Sequence, residues 1–232
     1  MKTSHGNREA KLQENSQDKE MTILFDLDGT LIDSTEAILE SFHNSFNVHN
    51  HAHPSDEEIK VLIGHPLDVM YAELGIEEGL VWDFVKTYKE HYRHIAKEKT
   101  VLLDCAVEAV QEAQKVARLG VVTTKTGLYS REILEHFGLM DAFEVLIGRE
   151  DVQNPKPHSE PIDKAISAMN CNKQECWMIG DTRLDIASAQ NAGIKSVAVT
   201  SGYDKKEQLL TLTKMIEKNA LDAVQYISKI KS

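Results

Sequence analysis

The sequence predicts an α/β fold: a Rossmann-like doubly wound parallel sheet core with an inserted α-helical unit. Three observations predict it. Short apolar runs alternate with amphipathic helical segments from about residue 100 onward. A further apolar run, Met21–Phe25, stands alone near the start, separated from the rest by a stretch with helical spacing only. Each apolar run is followed by polar, chemistry-bearing residues, as expected where strands of a parallel sheet share one functional edge.

Residues 1–20 are almost wholly polar and cannot form a core face, so they are expected to be a disordered or frayed extension, with at most a marginal helix over 8–20. Met21–Phe25 is the first buried strand. Residues 34–99 form the helical insertion. Ile38, Phe42 and Phe46 give one stripe, Val61, Leu62, Leu67, Met70 and Leu74 others, and Val81, Phe84, Val85, Tyr88 and Tyr92 a third. Pro54 before Ser55 and Glu58 marks a capped helix start. Trp82, Tyr88 and Tyr92 are assigned to the core of the insertion. His49, His51 and His53 are assigned to a solvated loop.

The α/β core then comprises 21–33 and 100–232. Its expected helices cover 104–118, 129–137, 159–169, 183–192, 204–218 and 220–229, and its strands 119–123, 143–147, 176–179 and 195–199. Gly138 and Gly193 serve as helix stops. Composition supports this reading. The chain has 232 residues, 41% hydrophobic and 27% charged, as in a globular domain carrying a smaller insertion. No apolar run approaches the roughly 18 residues of a membrane span, and the start lacks the apolar region of a secretory signal. The net charge of −11 disfavours nucleic acid and anionic membranes as partners. Three cysteines without CxxC spacing fit free thiols, and a cytoplasmic location is expected.

The strand ends carry the chemistry. The first ends in Asp26-Leu27-Asp28-Gly29-Thr30, and the second in Thr123-Thr124-Lys125. The third leads to a loop with Lys156 between two prolines, and the fourth to Asp181 and Asp185. Carboxylates, hydroxyls and a lysine in this mixture suit a hard, oxygen-ligated cation such as Mg²⁺ beside a phosphoryl group. A carboxylate can attack phosphorus, and a second can protonate the leaving oxygen. A lysine and a metal can neutralise the transferring charge. Backbone amides in a glycine turn can cradle phosphate oxygens.

FDLDGTLIDS, VVTTK, NPKPHSEP and IGDTRLDIASAQNAG, in this order, resemble the four motifs of the haloacid dehalogenase superfamily, over about residues 21–203. LGVVTTK, ILEHFGL, PKPHSEP and AVTSGY are most similar to its phosphoglycolate phosphatase branch. The resemblance implies a Mg²⁺-dependent phosphatase for a small phosphorylated metabolite, with phosphoglycolate the first to test, acting as a monomer or homodimer. Asp26 would be the nucleophile and a metal ligand. Asp28 would be the general acid and base, its carbonyl also on the metal. Thr123, the Thr124 amide and the turn at Gly29 would hold the phosphoryl group. Lys156 would bridge nucleophile and phosphate. Asp181 would ligate Mg²⁺, and Asp185 would orient a metal-bound water or Lys156. The insertion would be a cap, with Gly64, His65 and Lys125 contacting the leaving group. The family pattern often has Asn where Thr124 stands, which a backbone contact would survive. Three alternatives share parts of this pattern: a sugar phosphomutase of the same family, a 2-haloacid dehalogenase, and a phospho-accepting signalling module.

Overall fold

The computed structural model of the protein describes residues 19–231. Most of the extension expected over 1–20 therefore lies outside the described residues. Six parallel strands form the main sheet: β1 (Thr22–Phe25), β4 (Arg118–Val122), β5 (Val145–Ile147), β6 (Cys176–Gly180), β7 (Lys195–Val199) and β8 (Ile216–Glu217). Their order is β5-β4-β1-β6-β7-β8. The four residues of β1 are buried because the strand has hydrogen-bonded neighbours on both sides and packed side chains on both faces. The chain builds outward from β1 through β4 to β5, then returns to place β6 on the other side of β1. That reversal opens the crevice in which doubly wound sheets bind their ligands. Phe25 pairs with Val121 and with Ile179, so Asp26, Thr123 and Asp181 leave the sheet at the same edge.

Four helices occupy the insertion: α1 (Thr35–Val48), α2 (Asp56–Lys60), α3 (Leu67–Glu73) and α4 (Val81–Ile95). α1 and α4 lie against each other through the aromatic side chains that their spacing places on one face. Phe42 meets Tyr71 at 4.7 Å and Tyr88 at 5.1 Å between ring centroids, and Phe84 lies 5.2 Å from Phe46. The expected capping box is present at α2, where the Glu58 carboxylate accepts from the Ser55 amide at 2.8 Å. One residue of the apolar stripes and one separately assigned aromatic residue are not in this core. Val61 is 71% exposed, because it follows a helix of one turn rather than continuing a face. Trp82 is 63% exposed on the outer side of α4, correcting its assignment to the core. His51 and His53 are exposed, as expected for a solvated loop, while His49 is half-buried with its ring 4.4 Å from that of Phe84.

In the α/β part, α5 (Ala106–Val116), α6 (Gly127–His136), α7 (Glu160–Met169), α8 (Arg183–Ala192) and α10 (Ala220–Lys231) follow the expected spacing. The boundaries shift by a few residues. Arg118 begins β4 instead of ending α5, because its amide bonds to the Met21 carbonyl beside β1. Residues 143 and 144 stay outside β5, since a 3₁₀ turn over Met140–Ala142 intervenes. Gly193 stops α8 in the left-handed region at φ 72°. Two features differ in kind. The helix expected over 204–218 is only α9 (Lys206–Leu209), and the chain then becomes β8. Leu209, Leu212 and Ile216 have helical spacing, yet Ile216 instead pairs beside Ala198 at the sheet edge. A two-stranded ribbon, β2 (Ile32–Asp33) against β3 (Val101–Leu102), joins the two connections between insertion and core. Strands of two residues are too short to show a period-two pattern. Among the described residues no helix is long and apolar enough to cross a membrane.

Phe42 is fully buried at the centre of the insertion's ring cluster. Phe42→Ala is expected to lower the unfolding free energy by about 3–5 kcal/mol through the cavity it leaves, as measured by urea titration.

Candidate active site

β1 delivers its two acids to different surroundings. The Asp26 amide donates to the Ile179 carbonyl at 2.9 Å, continuing the sheet by one residue and fixing the side chain between β4 and β6. Asp26 is 4% exposed, and its Oδ1 lies 3.0 Å from Lys156 Nζ. The alignment of that ion pair leaves Oδ1 without a hydrogen bond, so a buried carboxylate oxygen retains unfilled acceptor capacity. Lys156 also contacts Asp185 Oδ1 at 2.5 Å and donates to the Val122 carbonyl at 3.1 Å. Burial alone would pull the Lys156 ammonium down, but Asp185 and then Asp26 outweigh it and hold the group above its usual range.

Asp181 is fully buried. It accepts from Thr30 Oγ1 at 3.1 Å and from the Tyr203 amide at 2.9 Å. Gly29, at φ 81°, makes room for it, because a Cβ there would sit 2.3 Å from the Asp181 carboxylate. Asp185 caps its own helix, accepting from the Thr182 amide at 3.0 Å and from Thr182 Oγ1 at 2.6 Å. Of the two acids near this helix start, Asp185 is thus the one that caps. Asp26, Asp181 and Asp185 bring carboxylate oxygens within 4.8 Å of one another. Burial, opposed by Lys156 and reinforced by Asp185, pushes Asp26 up to about 7. Burial and the same neighbouring carboxylates push Asp181 well above the ordinary carboxylate range. Three buried oxygen donors, one unfilled acceptor and excess negative charge fit a hard divalent cation such as Mg²⁺.

Asp28 faces the other way, toward the insertion. Its Oδ1 accepts from Ser34 Oγ, and its Oδ2 lies 3.2 Å from Lys125 Nζ. Lys125 in turn donates to the Tyr92 hydroxyl at 2.9 Å, with Nζ 4.5 Å from that ring's centroid. Thr123 is buried, and its hydroxyl accepts from the Lys125 amide at 3.2 Å. Thr124 donates through its own hydroxyl to the Gly64 carbonyl at 2.9 Å. The residue that departs from the common motif therefore ties β4's end to the insertion. Gly64 needs its glycine, since at φ 106° a Cβ would sit 3.1 Å from Thr182 Cγ2. Beyond Asp28 opens a cavity of about 240 Å³ between insertion and core. Gly64, His65, Thr124 and Lys125 line it, whereas Asp26, Thr123, Lys156 and Asp181 do not.

The sequence-derived residues thus form two groups that meet at β1. Asp26, Lys156, Asp181 and Asp185 cluster in the sheet crevice, with Gly29 and Thr123 beside them. Asp28, Lys125, Gly64 and His65 face the cavity. Sequence reasoning missed Ser34, Thr30, Tyr203 and the Tyr92 hydroxyl as partners of these side chains. Ser34 closes FDLDGTLIDS, and its spacing from Asp28 was the available signal. Tyr92 was read only for its ring.

A family model for haloacid dehalogenase-like hydrolase matches residues 23–199. The chain belongs to the haloacid dehalogenase-like hydrolases. Pyrophosphatase PpaX of Halalkalibacterium halodurans is 36% identical over 187 residues, covering 78% of this chain and 83% of the relative. PpaX of Bacillus cereus is 33% identical over 183 residues, covering 77% and 82%. Among solved structures, a predicted phosphatase from Clostridium acetobutylicum superimposes with a TM-score of 0.81 at 25% identity, covering 92% of this chain and 99% of that one. A predicted phosphoglycolate phosphatase from Haemophilus somnus shares the fold, with a TM-score of 0.81 at 23% identity over 92% and 98%. This haloacid dehalogenase-like hydrolase is accordingly an enzyme of the phosphatase kind, and the membership sets it apart from signalling modules that merely accept a phosphoryl group.

The acid cluster generates a pH signature. In the metal-free protein the folded state retains protons on Asp26 and Asp181 that the unfolded chain releases above its carboxylate pKa of 3.8. Their contribution to stability therefore falls as pH rises from 3.8 toward about 7. A cation that replaces those protons should stabilise more at about pH 7.5 than at about pH 5. Differential scanning fluorimetry is expected to show a Mg²⁺-induced rise in melting temperature that is larger at the higher pH and lost in Asp181→Asn.

Proposed function

We propose that the protein is a Mg²⁺-dependent phosphatase that hydrolyses a small phosphorylated metabolite through an aspartyl phosphate on Asp26. One observation carries this reading. Asp26 lies against Lys156 in the acid-lined crevice, while Asp28, two residues on, faces the cavity above it. On this reading nucleophile and proton donor would stand on opposite sides of one phosphorus position.

In the first half-reaction an Asp26 oxygen attacks phosphorus and the bond to the leaving oxygen breaks. Asp28 supplies the proton that the leaving oxygen takes. In the second, Asp28 removes a proton from water, which attacks the same phosphorus and frees the Asp26 carboxylate and inorganic phosphate. The Thr123 hydroxyl and the backbone amides near Gly29 and Thr124 hold the phosphoryl oxygens. Lys156 balances the charge gathered there. Asp26, Asp181, the Asp28 carbonyl and Asp185, directly or through water, would hold Mg²⁺. Bound there, the ion would neutralise charge on the transferring group. The helical insertion acts as a cap, pivoting at the β2–β3 ribbon, and its closure excludes water from the first half-reaction.

Phosphoglycolate and pyrophosphate are the reference substrates. The first follows from the motifs and the second from what the curated relatives are named for. With Mg²⁺ present, Asp26→Asn is expected to reduce phosphate release from p-nitrophenyl phosphate, phosphoglycolate and pyrophosphate by at least about 10³-fold. Turnover at the wild-type rate in that variant would overturn the assignment.

A further inference from the structure

The cavity on the cap side of Asp28 has a composition of its own. Ile63, Leu67, Met70, Val85 and Tyr88 make an apolar wall, and exposed Trp82 continues it to the mouth. Its charged lining is balanced. Lys89, Lys125 and Arg149 stand against Asp28, Asp68 and Glu150, three cations and three anions. Most of these already have partners. Lys125 is held by Asp28 and Tyr92, and Glu150 accepts from the amides of Gly127 and Leu128, while Arg149 donates through Nη1 to the Val152 carbonyl and has Nη2 3.9 Å from Asp68, leaving its buried Nε without a hydrogen-bond partner among the described residues. Lys89 also borders a shallow groove outside the cavity, so it stands at the mouth. Burial lowers His65 below its usual value, which keeps that part of the lining neutral. The Tyr88 side chain is 4% exposed, and its hydroxyl has no hydrogen-bond partner among the described residues.

A glycolate or phosphate leaving group needs neither this room nor these walls. The 240 Å³ exceeds the roughly 150 Å³ of an apolar cavity that holds one benzene molecule. A second phosphate in this space would meet apolar carbon on most sides and no net positive field. We propose that the preferred substrate is the phosphate monoester of a neutral alcohol with a ring-sized, mostly apolar body, seated against Met70, Val85 and Trp82. Its ester oxygen points back to Asp28, and a polar atom on the ring can pair with the Tyr88 hydroxyl. The inference rests on the phosphatase reading and adds to it the class of leaving group.

Ethyl and benzyl phosphate test it, since both leave as primary alcohols and differ chiefly in the apolar body. Both should be assayed with Mg²⁺ beside phosphoglycolate and pyrophosphate. Benzyl phosphate is expected to show at least about tenfold higher kcat/KM than ethyl phosphate, the scale of burying a ring. Trp82→Ala, an exposed position whose loss spares the fold, should shrink that ratio about threefold or more, and benzyl phosphate should protect Trp82 fluorescence from quenching by acrylamide. A benzyl-to-ethyl ratio of about three or less, or a higher kcat/KM for phosphoglycolate or pyrophosphate than for benzyl phosphate, overturns the inference while leaving the phosphatase reading in place. Absence of hydrolysis of all four compounds overturns both.

Discussion

The ammonium of Lys156 is the contact on which the rest of the site depends. Three carboxylates, from Asp26, Asp181 and Asp185, are packed into one buried crevice. Without compensation, that arrangement would cost several kcal/mol for each buried charge. Lys156 touches two of the three directly, and it is nearly inaccessible itself, so none of its attraction is screened by water. The third, Asp181, has no ion pair with an ammonium among the described residues. Its oxygens instead use the Thr30 hydroxyl and the Tyr203 amide. The local excess of negative charge is therefore left to an ion or to protons.

The sheet topology makes the cluster possible. β1 sits between β4 and β6, so one strand end is flanked by two others in register. Asp26 continues the β1 ladder for one more residue and stays in the crevice. Leu27 is buried and anchors the turn, its carbonyl accepting from the amides of Thr30, Leu31 and Ile32. That turn carries Asp28 out of the crevice and toward the insertion. One residue of spacing thus separates a carboxylate held by Lys156 from one held by Ser34 and Lys125.

The sheet and the acids were legible in the sequence because both depend on short-range patterns. Buried strands read as apolar runs, and their ends read as sudden polarity. What was missed depends on pairing over long separations or on side-chain tips. The β2–β3 ribbon joins residues about seventy apart through strands of two residues, which leave no periodic trace. The spacing of Leu209, Leu212 and Ile216 is helical, and only pairing at the open edge of β7 makes Ile216 part of a strand. Aromatic residues in an amphipathic insertion suit a core, but Trp82's helix turns it outward beside the cavity mouth. Thr124 was read for its amide, and its hydroxyl instead reaches Gly64.

That last contact indicates how insertion and core are coupled. Within the insertion, rings pack on rings, a dense arrangement that tolerates little deformation. Across its boundary with the core the directional contacts are polar and few. Thr124 reaches Gly64, Lys125 reaches Tyr92, Tyr129 reaches the Lys89 carbonyl and Arg149 approaches Asp68, while Ser34 reaches Asp28, Thr35 meets the Tyr203 hydroxyl and Lys97 approaches Glu132. Water can replace each of these at small net cost, whereas it cannot replace the ring cluster. Two of them start from Thr124 and Lys125, the residues that follow Thr123. A phosphoryl group that orders the end of β4 would therefore also order the donors that hold the insertion down. Closure would then be favoured when substrate is present, by contacts too weak to hold the site shut after the product has formed.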